Sequence, residues 1–310
     1  MSQGERPDRV VAIVGPTAAG KSALAMALAQ QQDGEIVNAD SMQLYRGMDI
    51  GTAKPSAADR ACVPHHLLDV LSVSEPGSVA VFQQQARAAI ADILGRGRLA
   101  ILVGGSGLYV RAVLDDFEFP GTDPAVRARL ETELAELGPA GLHARLARAD
   151  PGAAAAILPT NGRRVVRALE VIELTGRPFT ATLPGQRPFL PSVRIGLLVP
   201  RDVLVRRISD RVDRMWTQGL VDEVQGLLLQ GLANGRTAGR ALGYQQAMDQ
   251  LAGRCDEAEA KAATVKATVA FARRQLTWFR RDPDVRWLAY DEADLIERTG
   301  ELARAPRLDL

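Results

Sequence analysis

Eight residues near the start of the chain, Gly15-Pro16-Thr17-Ala18-Ala19-Gly20-Lys21-Ser22, have the types and spacing of an anion cradle, G-x-x-x-x-G-K-[ST]. The glycines allow the backbone to curl so that successive N–H groups face inward, and Lys21 adds a full positive charge. The chemistry this predicts is the holding of phosphates. A second candidate is Asp40, which follows the apolar run Glu35–Asn38. A carboxylate at a strand end could hold Mg²⁺, act as a general base, or cap a turn.

These residues need elements to position them. Val10–Val14 is an apolar run leading into the loop, and Ala23–Ala29 is a helix-forming run leading out, so the cradle lies between a strand and a helix N-terminus. Further short apolar runs occur at His66–Val70, Leu99–Val103, Val193–Val199 and Val285–Ala289, with helical patterns such as Ser78–Leu94 between them. Continuous apolar strands alternating with helices predict an α/β fold, a parallel sheet of the P-loop NTPase kind covered on both faces. In such a sheet the carboxyl ends of the strands line the ligand crevice, which places Asp40 beside the loop.

Residues 115–191 break the alternation. They read as helices only, at Pro124–Leu137, Ala140–Ala149, Asp150–Leu158 and Gly162–Thr175, closed by a proline-rich stretch around Pro184, Pro188 and Pro191. We therefore expect an all-helical subdomain at 115–191 inserted in a core of 1–114 and 192–310. Beyond it, Val203–Gln230 and Asp256–Arg281 read as long helices with arginine-rich faces.

Composition narrows the class. Of the 310 residues 46% are hydrophobic and 24% charged, as in ordinary globular proteins. Cys62 and Cys255 are far apart and form no C-x-x-C pair, which argues against a structural zinc site or a disulfide framework. Met1 to Arg9 is too polar for a signal peptide, and no apolar run has membrane-spanning length. The expectation is a cytoplasmic, monomeric protein with no membrane contact. Net charge is only +1, but arginines crowd into Arg163–Arg167, Arg201–Arg214 and Arg273–Arg286, and arginine suits bidentate phosphate contacts.

One longer string carries more. Asp40-Ser41-Met42-Gln43-Leu44-Tyr45-Arg46-Gly47-Met48-Asp49-Ile50-Gly51-Thr52-Ala53-Lys54-Pro55 resembles the signature of the tRNA dimethylallyltransferases. So do Pro64-His65-His66-Leu67, Val103–Tyr109 (with Ser106 for the usual threonine), the Asn161–Glu170 block, Arg207–Leu220, Ala241–Tyr244 and Arg274–Arg280. One departure is Thr268-Val269-Ala270-Phe271, where relatives often carry Thr-Arg-Arg-Tyr and two more potential phosphate contacts. Without a C-terminal zinc finger the chain reads as the bacterial type.

The resemblance implies transfer of a dimethylallyl group from dimethylallyl diphosphate to the exocyclic amine of a tRNA adenosine beside the anticodon. It implies that Asp40 is the base, that Arg211 serves the leaving diphosphate, and that Thr17 orients the diphosphate or Asp40. The loop Gly15–Ser22 would cradle the diphosphate, and Ser22 would carry Mg²⁺. It further implies tRNA contacts at Asp40, Ser41, Met42, Gln43 and Ser106, at Arg127, Arg163, Arg164, Val165, Val166 and Arg167, at Arg240, Gly243 and Tyr244, and at Arg273, Arg274, Gln275, Trp278 and Arg280. The competing readings are a small-molecule or nucleoside kinase, which shares the loop but not the Asp40–Pro55 string, and an adenylate isopentenyltransferase acting on free nucleotide. His65 and His66, with no acid or cysteine beside them in the sequence, are not expected to bind metal, and Trp278 could be core rather than a stacking platform.

Overall fold

In the computed structural model, residues 9–117, 119–179 and 187–304 are described. The polar stretch Met1–Asp8, Glu118, Pro184 and the chain end after Arg304 lie outside the described residues. Six strands form one sheet: β1 (Val10–Val14), β2 (Gly34–Asn38), β3 (His65–His66), β4 (Leu99–Gly104), β5 (Ser192–Leu198) and β6 (Val285–Ala289). All neighbours pair in parallel, in the order β3-β2-β4-β1-β5-β6. The fold is α/β with a P-loop-like core.

The helices in the first half of the chain are α1 (Lys21–Gln31), α2 (Ala57–Cys62), α3 (Val79–Gly95), α4 (Gly107–Leu114), α5 (Pro124–Ala149), α6 (Pro151–Ala156) and α7 (Gly162–Thr175). After β5 come α8 (Arg201–Thr217), α9 (Leu220–Leu229), α10 (Tyr244–Leu251), α11 (Glu257–Phe279) and α12 (Leu295–Arg304). Strand side chains alternate between faces, so Val10, Ala12 and Val14 pack with Phe82, Ile90 and Val113 of α3 and α4. Val11 and Ile13 pack on the other face with Leu24 and Leu28 of α1 and Ala303 of α12. A third core, under the Asp40–Pro55 segment, joins Tyr45 and Met48 to Val212, Met215, Trp216, Leu220 and Tyr244.

The chain divides into two compact units, residues 1–115 with 188–310, and residues 116–187. The second unit has its own core of Leu130, Leu142, Leu146, Val165, Val166 and Leu169. Its longest helix, α5, breaks at Gly138 (φ 68°), immediately before Pro139, where the sequence also reads as an interruption.

Two sequence expectations change. Of the run His66–Val70 only His66 is in a strand, the two-residue β3, because Leu67 and Asp69 take positive φ (61° and 59°) and turn the chain out of the sheet. The helix expected over Val203–Gln230 is two helices, parted at Gly219 (φ 94°), whose left-handed conformation ends α8 and begins α9.

Candidate active site

The loop after β1 delivers a helix N-terminus that no side chain caps. α1 begins at Lys21 after Gly20 (φ 103°), with no side-chain cap and no acidic residue in its first turn. Its first N–H groups therefore have no intrahelical acceptor and carry the positive end of the helix dipole. Lys21 folds back over the loop and donates from Nζ to the Pro16 carbonyl at 2.8 Å. Burial lowers its pKa to about 8; Asp40 pulls it upward and Arg211 pushes it further down.

Asp40 arrives beside this loop through the sheet register. Asn38 of β2 pairs with Val103 of β4, and Val14 of β1 pairs with Gly104. The carboxyl ends of three strands thus meet in one place. Gly104 has to be glycine, since a Cβ there would lie 2.4 Å from the Ala39 carbonyl oxygen. Asn38 shapes the turn that presents Asp40: its Oδ1 accepts from the Asp40 N–H at 2.9 Å, and its Nδ2 donates to the carbonyls of Asp40 and Leu67 at 3.0 Å. Asp40 Oδ1 in turn accepts from the Met42 N–H at 2.9 Å. Among the described residues no hydrogen bond fixes the other carboxylate oxygen.

Two cavities open on Asp40. One, of about 570 Å³, is lined by Thr17, Ala18, Gly20, Lys21, Ser22 and the arginines Arg207, Arg211 and Arg214. The other, of about 540 Å³, has a mostly apolar wall of Met42, Leu108, Ile208, Val212, Met215 and Trp278, with Ser41, Ser106, Arg240, Tyr244 and Arg274 also on it. Thr17, Asp40, Gly105, Arg211 and Gln275 face both. Arg211 donates to the Thr17 hydroxyl at 3.1 Å. Burial lowers the pKa of its guanidinium, opposed by Asp40 and reinforced by Arg214.

Arg207 and Arg214 are additions to the expected site residues. With Arg211 they fall four and three residues apart on α8, one face of a helix, and that spacing is legible in the sequence. Two further additions hold the Asp40–Pro55 segment in shape. The Glu223 carboxylate of α9 accepts from the N–H groups of Asp49, Ile50 and Gly51 (3.1, 2.7 and 3.4 Å) and from the Tyr244 hydroxyl at 2.5 Å. Buried Lys54 donates to the Tyr45 carbonyl at 2.7 Å and pairs with Asp49 and Asp69. Gln43 then anchors on the carbonyls of Thr52 and Ala53 (3.2 and 3.3 Å). Tyr244 packs so closely that a Cβ on Gly51 would meet its ring at 2.3 Å. Gly51→Ala should therefore destabilise the protein by about 1–3 kcal/mol, the usual cost of overpacking, in urea unfolding. An unchanged midpoint would show that the ring can move aside.

Several residues assigned to RNA contact have other work. Val165 and Val166 are buried in the core of the second unit and are not on its surface. Arg127 and Arg167 both pair with Glu170, which is fully buried and needs that charge compensation; Arg167 also donates to the carbonyls of Pro120 and Gly121. Gly243 and Tyr244 are buried, with the Tyr244 hydroxyl held by Glu223. Arg163 and Arg164 are exposed on α7, as are Arg240, Arg273, Arg274 and Arg280 in the first unit. Trp278 is half-buried, packing against the core while one side lines the apolar cavity.

His66 is not a bystander. Its Nε2 lies 2.7 Å from Glu35, a buried carboxylate that Arg96 and Arg98 also hold. Hydrogen bonding from Arg96 is the main reason that the Glu35 pKa falls to about 2. This cluster is at the opposite end of β2 from Asp40 and serves the sheet edge.

Comparison with known proteins finds similarity over most of the chain. The family described as IPP transferase matches residues 43–282. A tRNA dimethylallyltransferase of Salinispora arenicola is 67% identical over 279 residues, 90% of this chain and 82% of that one. One from Streptomyces avermitilis is 63% identical over 297 residues, 96% of this chain and 95% of its own. Among solved structures, the full-length tRNA isopentenylpyrophosphate transferase of Bacillus halodurans aligns with a TM-score of 0.68 at 43% identity, covering 96% of this chain and 94% of the other. A eukaryotic dimethylallyltransferase acting on tRNA aligns at 0.78 with 27% identity, over 91% of this chain and 73% of that one. With the match running through the segment anchored by Glu223 and the arginine face of α8, the chain belongs to the IPP transferase family.

Proposed function

We propose that this protein transfers the dimethylallyl group of dimethylallyl diphosphate to N6 of the adenosine 3′ to the anticodon, in tRNAs that read codons beginning with U, and releases diphosphate. The observation that carries this reading is Asp40 on the shared wall of two unlike cavities, one cationic and one largely apolar. A prenyl diphosphate needs the first for its leaving group. An adenine extruded from a loop needs the second for stacking, and Trp278 and Met42 offer surfaces for it.

In the reaction, N6 attacks the C1 carbon of the donor and the C–O bond to diphosphate breaks, the electron pair leaving with the oxygen. The N6 proton passes to the carboxylate of Asp40. The adenine amine is a weak nucleophile because its lone pair is delocalised into the ring, so removing that proton as the bond forms lowers the barrier. Charge that grows on the departing diphosphate is met by the α1 N-terminus, Lys21 and the α8 arginines, all in place beforehand.

Ser22, in the first turn of α1 and on the cationic cavity, is the residue that would hold Mg²⁺. Among the described residues no group of three or more His, Cys, Asp or Glu could bind a metal; the Ser22 hydroxyl would offer Mg²⁺ an oxygen ligand of the hard kind it takes. When bound it would neutralise part of the diphosphate charge. The tRNA would meet the exposed arginines of α7 and α11, giving salt-dependent binding. Among the described residues no helix is long and apolar enough to cross a membrane.

The direct test is incubation with dimethylallyl diphosphate and an anticodon stem-loop, followed by nucleoside mass spectrometry. Prenylated adenosine supports the reading; an intact donor with ADP formed from ATP would point to a kinase. Prenylated free AMP, with the stem-loop untouched, would point to a nucleotide isopentenyltransferase.

Lys21 adds a pH signature. A bound diphosphate stabilises its charged form, so the pKa in the complex rises above the value of about 8 in the free protein. Donor affinity should be flat below pH 8 and weaken as pH rises through and above it, by up to tenfold per unit. Titration calorimetry from pH 6.5 to 9.5 checks this, and a Lys21→Met variant should lose the dependence. A wild-type profile flat to pH 9.5 would remove Lys21 from the donor site.

A further inference from the structure

Gln275 belongs to α11, 258 residues from Thr17 in sequence, yet its Oε1 accepts from the Thr17 backbone N–H at 2.8 Å. From the same amide, Nε2 donates to the Gly105 carbonyl at 2.9 Å. The residue is only 7% exposed. Thr17 lies in the loop that lines the cationic cavity. Gly105 lies in the turn between β4 and α4, next to Ser106 on the apolar cavity. The resemblance placed Gln275 among the tRNA contacts, but both ends of its amide are engaged by the protein's own backbone.

We propose that Gln275 is a positioning residue for the transfer: acting through Thr17, it fixes the diphosphate loop against the turn that borders the acceptor cavity. This rests on the prenyl-transfer reading given above. A terminal amide is suited to the task because it offers an acceptor and a donor side by side, which a carboxylate or an ammonium does not. Its neighbours are built around it. A Cβ at Gly105 would fall 2.2 Å from Nε2 of Gln275, and one at Gly107 would fall 2.0 Å from the ring of Trp278, one turn further along α11. A side chain at either glycine would displace the α11 residue packed against it.

The consequence runs on to the leaving group. With its N–H held by Gln275, Thr17 has a fixed backbone, and its hydroxyl is where Arg211 donates at 3.1 Å. The contacts form a chain from Gly105 through Gln275 and Thr17 to Arg211. It orients one loop group and one guanidinium before any ligand arrives, so little reorganisation is left for the reaction itself. Loss of the amide frees the Thr17 backbone, and misplacement of such groups by about 1 Å costs on the order of 10²-fold in rate.

A double-mutant cycle on kcat tests this, with Gln275→Met, which keeps the length and packing of the side chain, and Thr17→Ala. Each single variant should lower kcat by roughly 10- to 100-fold, and the double variant should be no slower than the worse single, because the backbone N–H that Gln275 holds serves the leaving group by placing the Thr17 hydroxyl under Arg211, and Thr17→Ala removes that hydroxyl. Affinity for the anticodon stem-loop, measured by filter binding, should stay within about twofold of wild type in Gln275→Met. Multiplying losses in the cycle overturn the proposal, since they would mean that Gln275 acts independently of Thr17. So does a fall in stem-loop affinity with kcat unchanged, which would make Gln275 an RNA contact. Prenyl transfer by the wild type is measured alongside; its absence would overturn the functional reading itself, whatever the cycle shows.

Discussion

Asn in place of Asp40 is expected to slow the transfer step by about 10²- to 10⁴-fold, the range for a lost general base, while donor binding persists. Asparagine is the informative replacement because Asp40 has two jobs. Its Oδ1 closes a turn on the Met42 N–H, and an amide oxygen can keep that bond. Asp40→Ala removes the turn and the base together, so any difference between the two variants measures the turn alone. Single-turnover rates with prebound stem-loop isolate the chemical step. A second readout follows from the electrostatics. Asp40 supports the protonated form of Lys21, so neutralising it should move the Lys21 pKa below about 8. The pH at which donor affinity begins to fall should then move down as well. Transfer by Asp40→Asn at a rate within tenfold of wild type would remove Asp40 as the base.

Much of this site is legible in the sequence because the signal is local. A strand, a glycine-bounded loop and a helix start are written in consecutive residues, and β1, the loop and α1 appear where that reading places them. The same holds for α7, which spans Gly162–Thr175 in both. What a local reading lacks is the partner. Arg127, Arg167 and the valines between look like a basic RNA-facing patch until Glu170 is seen buried among them. Glu223 reads as an ordinary acidic residue at a helix start. Its significance comes from three N–H groups more than 170 residues away. Gln275 is a further case, because a neutral amide in an arginine-rich block gives no hint of two backbone partners on different loops. His66–Val70 fails for a related reason. Its apolar character suits a strand, but Lys54 and Arg60 hold the Asp69 carboxylate in a turn.

Methionine in place of Arg194 should destabilise the first unit by about 3–5 kcal/mol, a large share of the roughly 5–15 kcal/mol that holds a typical domain folded. Arg194 sits within β5, between Ala12 of β1 and Val285 of β6, with its side chain 2% exposed. It binds Asp115 with one nitrogen and Asp282 with the other, the latter at 2.7 Å, and both carboxylates are buried. Methionine matches the length of the arginine stem and leaves no large cavity. The loss is thus dominated by two carboxylates deprived of a shared cation in a low-dielectric setting. Asp115 keeps Arg111 at 2.6 Å, which limits the loss. Arg254→Ala supplies the contrast: its pair with Asp249 is exposed, and its removal should cost under about 1 kcal/mol. Urea unfolding followed by fluorescence compares the two. Equal costs would mean that water reaches the Arg194 cluster. A large cost for Arg194→Met alone would place the cluster among the main supports of β5, the strand whose Leu197 backbone lies against Gly15 and so backs the Gly15–Ser22 loop.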